Sequence, residues 1–295
     1  MANSNGWGDG AANNSIGWGQ GANNNIGWGD SHAKSWAGAT DIVGITTDSD
    51  AQAFITAAAI TDPTQQTAIN NLVVGMKADG IWTKMKAVYP FVGGTATAHK
   101  WNLKDPRDLD AAFRLVFNGG WTHSNNGAQG NGVNSFANPF LSSSANLQLN
   151  SAHVSYYSRT NSAANMVMMG TQSLYVLARW TQYHANNSVE SDQGGISTGN
   201  TTAGFFMSNR TNGTAMKYQI NGTIQTDSTS TAALATLQEN PSLYLGCQNT
   251  LLYGVRLHNN YQTAFSTIGD GLTDTEAANL YTRVQAFQTQ LFRQV

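Results

Sequence analysis

The chain has a single cysteine, Cys247, among 295 residues. This excludes an intramolecular disulfide and any multi-cysteine metal centre. Charge is scarce as well: Lys, Arg, Asp and Glu make up 11%, against about 25% in an average soluble domain. Fifteen basic residues face 17 acidic ones, so there is no net field to gather phosphates, which disfavours nucleic-acid binding and electrostatic membrane anchoring. No run approaches the roughly 18 apolar residues of a membrane span. Met1 to Gly10 lacks the basic start and apolar stretch of a secretory leader. The expectation is a protein soluble as made, with no membrane insertion. Glutamate is limited to Glu190, Glu239 and Glu276. What is present is a hydrophobic fraction of 40%, enough for a sizeable core, and 31 Asn and 30 Gly which, with Ser and Thr, supply a neutral polar surface.

The first forty residues repeat themselves. Asn5-Gly6-Trp7-Gly8, Ile16-Gly17-Trp18-Gly19 and Ile26-Gly27-Trp28-Gly29 recur between Gly/Ala/Asn spacers, and a looser Ser35-Trp36-Ala37-Gly38 follows. Four indoles among glycines offer too little apolar area to offset about 1–2 kcal/mol of backbone entropy per ordered residue. Residues 1–46 therefore read as a docking arm in which Trp7, Trp18, Trp28, Trp36, Ile16 and Ile26 are sheltered by another polypeptide.

Residues 47–98 read as a helical connector. Asp62-Pro63 supplies an N-cap with Pro at the first helical position, Gln65 stands where a capping box places it, and Ile69, Leu72, Val73 and Met76 follow helical spacing until Gly80. A second short helix is expected over Ile81 to Tyr89, and a turn or two over Ala51 to Ile60. From residue 99 short β patterns take over: Ala112 to Phe117, Leu147 to Leu149, His153 to Tyr157, Met166 to Met169, Leu174 to Trp180, Gly204 to Ser208, Met216 to Ile220, Leu243 to Cys247 and Leu251 to Leu257. Their spacing is too short for crossover helices, so pairing should be antiparallel, in a sandwich or jelly roll. Asn221-Gly222 marks a tight hairpin, and Thr211-Asn212-Gly213 another turn. Thr273-Asp274-Thr275-Glu276 is a capping box ahead of a helix whose apolar face runs through Ala277, Leu280, Tyr281, Val284, Phe287 and Leu291.

Lys217 to Gly222, Leu243-Tyr244-Leu245-Gly246, and above all Gly271 to Tyr281, with its closing helix start, resemble the concanavalin A-like, laminin-G-like jelly-roll family. Residues 99–295 correspond to that domain. The whole arrangement, with Gly-Trp-Gly repeats followed by Thr61-Asp62-Pro63-Thr64-Gln65-Gln66-Thr67-Ala68-Ile69-Asn70, resembles virion proteins of tailed bacteriophages that infect Bacteroidetes-type bacteria. The resemblance implies a tail or head appendage on the outer surface of the particle, held by other virion proteins through residues 1–46. It also implies a homo-oligomer, a trimer as in viral fibres, and a jelly roll that presents a binding surface to host or mucosal glycans.

Catalysis finds little support. A retaining glucanase needs two carboxyl groups about 5–5.5 Å apart. Glu276 is taken by the helix cap, Glu239 sits beside Pro241, Glu190-Ser191-Asp192 reads as a polar loop, and no Glu-x-Asp-x-Glu pattern occurs. Gly195-Ile196-Ser197-Thr198-Gly199 has the nucleophile-elbow spelling without the strand and helix that motif needs. Gly6 to Ala11 and Gly17 to Ala22 fit Gly-x-Gly-x-x-Ala without a strand before or a helix after. The expectation is a non-enzyme. The alternatives are a glycan-active enzyme on the same fold and a capsid decoration protein without ligand. The six histidines are scattered without metal-ligand spacing, and Asp105, Asp108 and Asp110 form the one carboxylate cluster, where Ca²⁺ is a candidate ligand; no other cofactor is expected. A glycan site needs aromatic platforms with neutral donors and acceptors. Two stretches read as loops offer them: Trp121, His123, Asn125 and Asn126, and Trp180, Tyr183, His184 and Asn186; each of these aromatics equally suits a strand end that covers the core, since Trp and Tyr commonly stay partly exposed.

Overall fold

The computed structural model describes residues 47–148, 151–162, 166–172, 179–185, 188–191, 194–197, 202–212, 215–225 and 241–295. The docking-arm residues Trp7, Ile16, Trp18, Ile26, Trp28 and Trp36 lie outside them. The chain divides at Asp48, and Asp48–Val295 is one compact unit.

That unit opens with α1 (Ser49–Ala57) and α2 (Pro63–Ala78). Asp48 and Asp62 cap them, each side chain accepting hydrogen bonds from main-chain N–H groups of the first turn. Gln65 does not complete a capping box; its Oε1 accepts from the main-chain N–H of Gly93. A 3-10 turn over Trp82–Lys84 leads into β1 (Met85–Tyr89), where a helix was expected. The stretch is only five residues long and includes Lys86, and the antiparallel ladder offered by the strand near the chain's end decides its conformation. Short α3 (Ala96–His99) follows, then β2 (Val116–Asn118), β3 (Trp121–Ser124), β4 (Gly127–Gly130), β5 (Phe136–Asn138) and α4 (Ser143–Asn146).

The remaining strands are β6 (Ala152–Ser158), β7 (Met166–Gln172), β8 (Arg179–Ala185), β9 (Ser188–Ser191), β10 (Gly194–Ser197), β11 (Gly204–Asn212), β12 (Ala215–Ile220), β13 (Thr223–Ile224), β14 (Tyr244–Leu245), β15 (Gln248–Thr250), β16 (Gly254–Arg256) and β17 (Gln262–Gly269). α5 (Asp274–Gln290) closes the unit. Two sheets result, one in the order β13-β12-β11-β6-β17-β4-β3 with β1 also on β17, the other β10-β9-β8-β7-β14-β5-β2 with β15 and β16 attached. Pairing is antiparallel except for β15 on β7. This is the antiparallel jelly-roll sandwich expected from the sequence.

The core has two levels. Between the sheets, Ala87, Tyr89, Val154 and Ile268 meet Ala137, Met169 and Leu245, with Tyr156, Met168, Phe206, Tyr218 and Tyr261 beside them. On the other face of the first sheet, Tyr157, Phe205, Met207 and Phe265 meet Phe54, Ile69, Leu72, Val73, Leu280, Val284 and Phe287 of the three long helices. The stretch 47–98 thus supplies part of a helical layer over the sandwich. Burying each Leu or Phe there contributes roughly 1.5–3 kcal/mol. Arg283 on α5 reinforces the layer with a two-pronged bond to Asp79, the C-cap of α2, at 2.7 and 2.9 Å.

Several asparagines lie inside rather than on the solvated surface. Asn102 is buried beside β1: its Oδ1 accepts from Val88 and Lys104 N–H, and its Nδ2 donates to the Lys86 and Ala112 carbonyls. Buried Asn209 likewise exchanges two bonds with the main chain of Leu272. Buried Asn259 donates to Val167 and accepts from Tyr261. Each amide supplies the donor and acceptor that a regular ladder would have provided. At Asn221-Gly222 both φ angles are positive, +47° and +81°, the geometry of a type I′ hairpin turn.

Arg293 is 1% exposed. Its Nε donates to Gln288 Oε1, Nη1 to the carbonyls of Phe91 and Asn125, and Nη2 to those of Pro90 and Ala264. All five N–H donors of the guanidinium are used, on acceptors from β17, α5, the segment after β1 and the β3–β4 turn.

Candidate functional site

The strands β2 and β3 belong to different sheets and are joined by Asn118-Gly119-Gly120. Gly119 has φ +73°, and a Cβ there would run into the carbonyl of Asn134. The tight crossing lays Phe117 of β2 against Trp121 and His123 of β3, with ring centroids 5.4 and 4.6 Å apart and the rings edge-on. Trp121 and His123 are two apart on the strand and so share a face. His123 also meets His99 of α3 at 5.1 Å, and His99 meets Phe91 edge-on at 5.5 Å. Phe91, His99, His123, Phe117 and Trp121 form one continuous run of rings, buried at Phe91 and half-buried from Phe117 to Trp121.

Trp121 is on a strand rather than in a loop, and it bridges the two sheets. Its Nε1 donates to the carbonyls of Asn118 (3.0 Å) and Phe136 (3.3 Å), so its polar atom is committed inside the chain and only ring surface remains for a ligand. His123 is on the same strand, with Nδ1 2.9 Å from His99 Nδ1. Asn125 and Asn126 are exposed in the turn that follows, and the carbonyl of Asn125 accepts from Arg293. The histidines, separated by 24 residues and read as scattered, are therefore brought into direct contact. Burial lowers the pKa of both: His99, with His123 and Arg293 adding repulsion, is pushed down to about 3, and His123 is lowered by its burial. Near neutral pH the patch is uncharged, aromatic and edged by amides. No periodicity could have located Phe91, His99 and Phe117, which come from three separate segments.

The second candidate stretch is also strand rather than loop. Trp180 pairs with Thr171, Tyr183 with Val167 and Glu190, and His184 with Met166 and Val189. Thr, Trp and Tyr suit a strand, and β8 has a partner on each side. Tyr183 and His184 occupy adjacent positions and so belong to opposite faces, while Asn186 lies outside the described residues. Glu190, read as a loop residue, is on β9. Gly194–Ser197, whose flanks read as loop, is strand β10, while Thr198 and Gly199 of the same motif and Glu239 lie outside the described residues.

The carboxylates considered for Ca²⁺ are engaged by cations: Asp105 by Arg107, Asp108 by Lys100 and Arg114, and Asp110 by Arg114. Among the described residues, no group of three or more His, Cys, Asp or Glu is placed to hold a metal ion. Glu276 accepts from Thr273 N–H at 2.7 Å and from Lys84 at 2.6 Å.

One surface was missed in the sequence. Leu251 to Leu257 reads as a strand, yet Leu251, Leu252 and Tyr253 form the tip between β15 and β16 and are 46%, 58% and 67% exposed. Thr250 Oγ1 shapes the tip by accepting from Tyr253 N–H and donating to the Gly254 carbonyl. A Thr and a Gly four apart around an apolar run was the local signal.

No known family model matches the chain, and no curated protein matches it. Similar solved structures include domain 4 of AbnA, a GH43 extracellular arabinanase from Geobacillus stearothermophilus, in complex with arabinotriose, at 15% identity and TM-score 0.40 over 67% of this chain and 98% of that one. The binding domain of botulinum neurotoxin DC, in complex with rat synaptotagmin II, is similar at 10% identity and TM-score 0.40 over 70% and 53%. The receptor binding domain of the botulinum neurotoxin C/D mosaic serotype is similar at 12% identity and TM-score 0.43 over 68% and 52%. The chain spans about half the length of the two toxin domains. At these scores the likeness extends to neither activity nor ligand.

Proposed function

We propose that the chain is a non-enzymatic structural and adhesive component of a tailed-bacteriophage particle, docked through residues 1–46 and displaying Asp48–Val295 as a glycan-binding sandwich. The observation that carries this reading is that Asp48–Val295 forms a compact unit separate from the repeat segment. Asp48 caps α1 and pairs with Lys77, the helices cover the sheet, and Arg293 closes the other end. The repeat indoles are assigned to a partner on composition: four of them among glycines bury too little apolar area to order that segment alone. The uncharged ring surface of Phe117, Trp121 and His123, bordered by Asn125 and Asn126, suits a neutral sugar: ring faces stack on its C–H face and amides meet its hydroxyls. The engagement of Glu276 by its helix cap and by Lys84 supports a non-catalytic role.

Deleting residues 1–46 tests the docking part. The shortened protein should stay folded and soluble but fail to enter particles; entry at the normal level would reject the arm's role. A glycan array probed with the full chain and with the Trp121→Phe and Asn125→Ala variants tests the display part. Absence of any bound glycan would favour a capsid decoration protein without ligand.

A further inference from the structure

The contact between His99 and His123 is the one place on the aromatic run where hydrogen position decides what a ligand meets. Their Nδ1 atoms are 2.9 Å apart, so one carries the hydrogen and the other accepts it. His99 is 2% exposed, and its Nε2 is buried without a hydrogen-bond partner. If His99 carried its hydrogen on Nε2, a buried N–H would lack an acceptor while the buried Arg293 guanidinium repels positive charge on that ring. With the hydrogen on Nδ1, the orphaned atom is a lone pair, which a nearby cation favours. His123 must then accept at Nδ1 and carry its own hydrogen on Nε2. His123 is only half-buried and its Nε2 meets no hydrogen-bond partner among the described residues, which leaves that N–H for solvent or a ligand beside Phe117 and Trp121. The groups packed on the pair from the other segments, Phe91 and Phe117, are uncharged; Arg293 is the charged group acting on it.

We propose that His99 is a positioning residue that holds His123 as a neutral Nε2–H donor, so that the aromatic face offers one fixed hydrogen bond to a ligand oxygen such as a sugar hydroxyl or ring ether. The identity of the ligand rests on the function proposed above, whereas the hydrogen positions do not, so the two fail separately. Long-range ¹H–¹⁵N correlation spectra of the ligand-free full chain at neutral pH read those positions directly. The expected pattern is hydrogen on Nδ1 in His99 and on Nε2 in His123; hydrogen on His99 Nε2 overturns the proposal.

Two variants separate positioning from packing. His99→Asn places an amide N–H near the lost Nδ1–H and should leave the His123 titration midpoint where it is in the parent chain. His99→Leu keeps the site apolar but removes the donor, freeing His123 Nδ1, and should raise that midpoint by about one pH unit. An unchanged midpoint in folded His99→Leu, or an equal rise in both variants, overturns the positioning role.

Discussion

The Nδ1 of His153 lies 2.6 Å from the main-chain carbonyl of Asp270, the residue that follows β17. His153 is fully buried, and its Nε2 faces Thr267 Oγ1 at 3.1 Å, which in turn meets Ser155 Oγ at 2.6 Å. With Nδ1–H donating to Asp270, the neutral ring satisfies both of its nitrogens. Burial pushes its pKa down to about 4, outweighing the Asp270 carbonyl that holds it up. The unfolded chain takes up this proton near pH 6.5. Between those values the unfolded state binds the proton and the folded state does not, so stability is full above pH 6.5 and falls as pH drops toward 4, by at most about 1.4 kcal/mol per unit. Chemical denaturation at pH 7 and pH 4.5 should show the parent chain losing more stability than His153→Asn, which retains a donor for Asp270. Equal losses would place the acid sensitivity elsewhere.

Arg293 holds four main-chain carbonyls and Gln288, and no carboxylate among the described residues accepts from it. At about 1–3 kcal/mol for each acceptor left unpaired, Arg293→Met should cost more than about 3 kcal/mol in urea denaturation. Arg293→Lys should recover only part, because an ammonium cannot reach five acceptors in a planar fork. A loss under 1 kcal/mol in either variant would mean that water replaces the side chain.

The Thr273 hydroxyl and the Glu276 carboxylate cap α5 reciprocally. Thr273→Ala should lower stability by about 1 kcal/mol. Glu276→Gln keeps an acceptor for Thr273 N–H but weakens the bond to Lys84, and should cost less. Thermal melts followed by circular dichroism check the order of the two.

Leu252 at the tip of the β15–β16 turn should behave as surface. Leu252→Ser is expected to stay within about 0.5 kcal/mol of the parent. A loss above 1 kcal/mol would show that another part of the molecule covers this tip in solution.

What could be read from the sequence is what short-range chemistry specifies. The α5 capping box and the Asn221-Gly222 turn involve atoms a few residues apart, and both stand where the pattern puts them. Met85–Tyr89 was misread because five residues carry no decisive period and their partner, β17, is remote in sequence. The buried amides of Asn102, Asn209 and Asn259 were counted with the solvated residues, since composition cannot tell an Asn that completes a broken ladder from one in water. At the candidate site the residue types Trp121 and His123 were visible, but the rings against them, Phe91, His99 and Phe117, are supplied by tertiary packing alone.

The placement of β17 sets the order of assembly during synthesis. Met85 to Tyr89 has no ladder to join until Ser266 to Gly269 has been made, and the β11–β6 and β3–β4 pairs are joined into one sheet only by the same strand. A ribosome therefore exposes nearly the entire unit before its central strand arrives. Such long-range closure makes for slow folding, with unpaired edges open to neighbouring nascent chains until the last step.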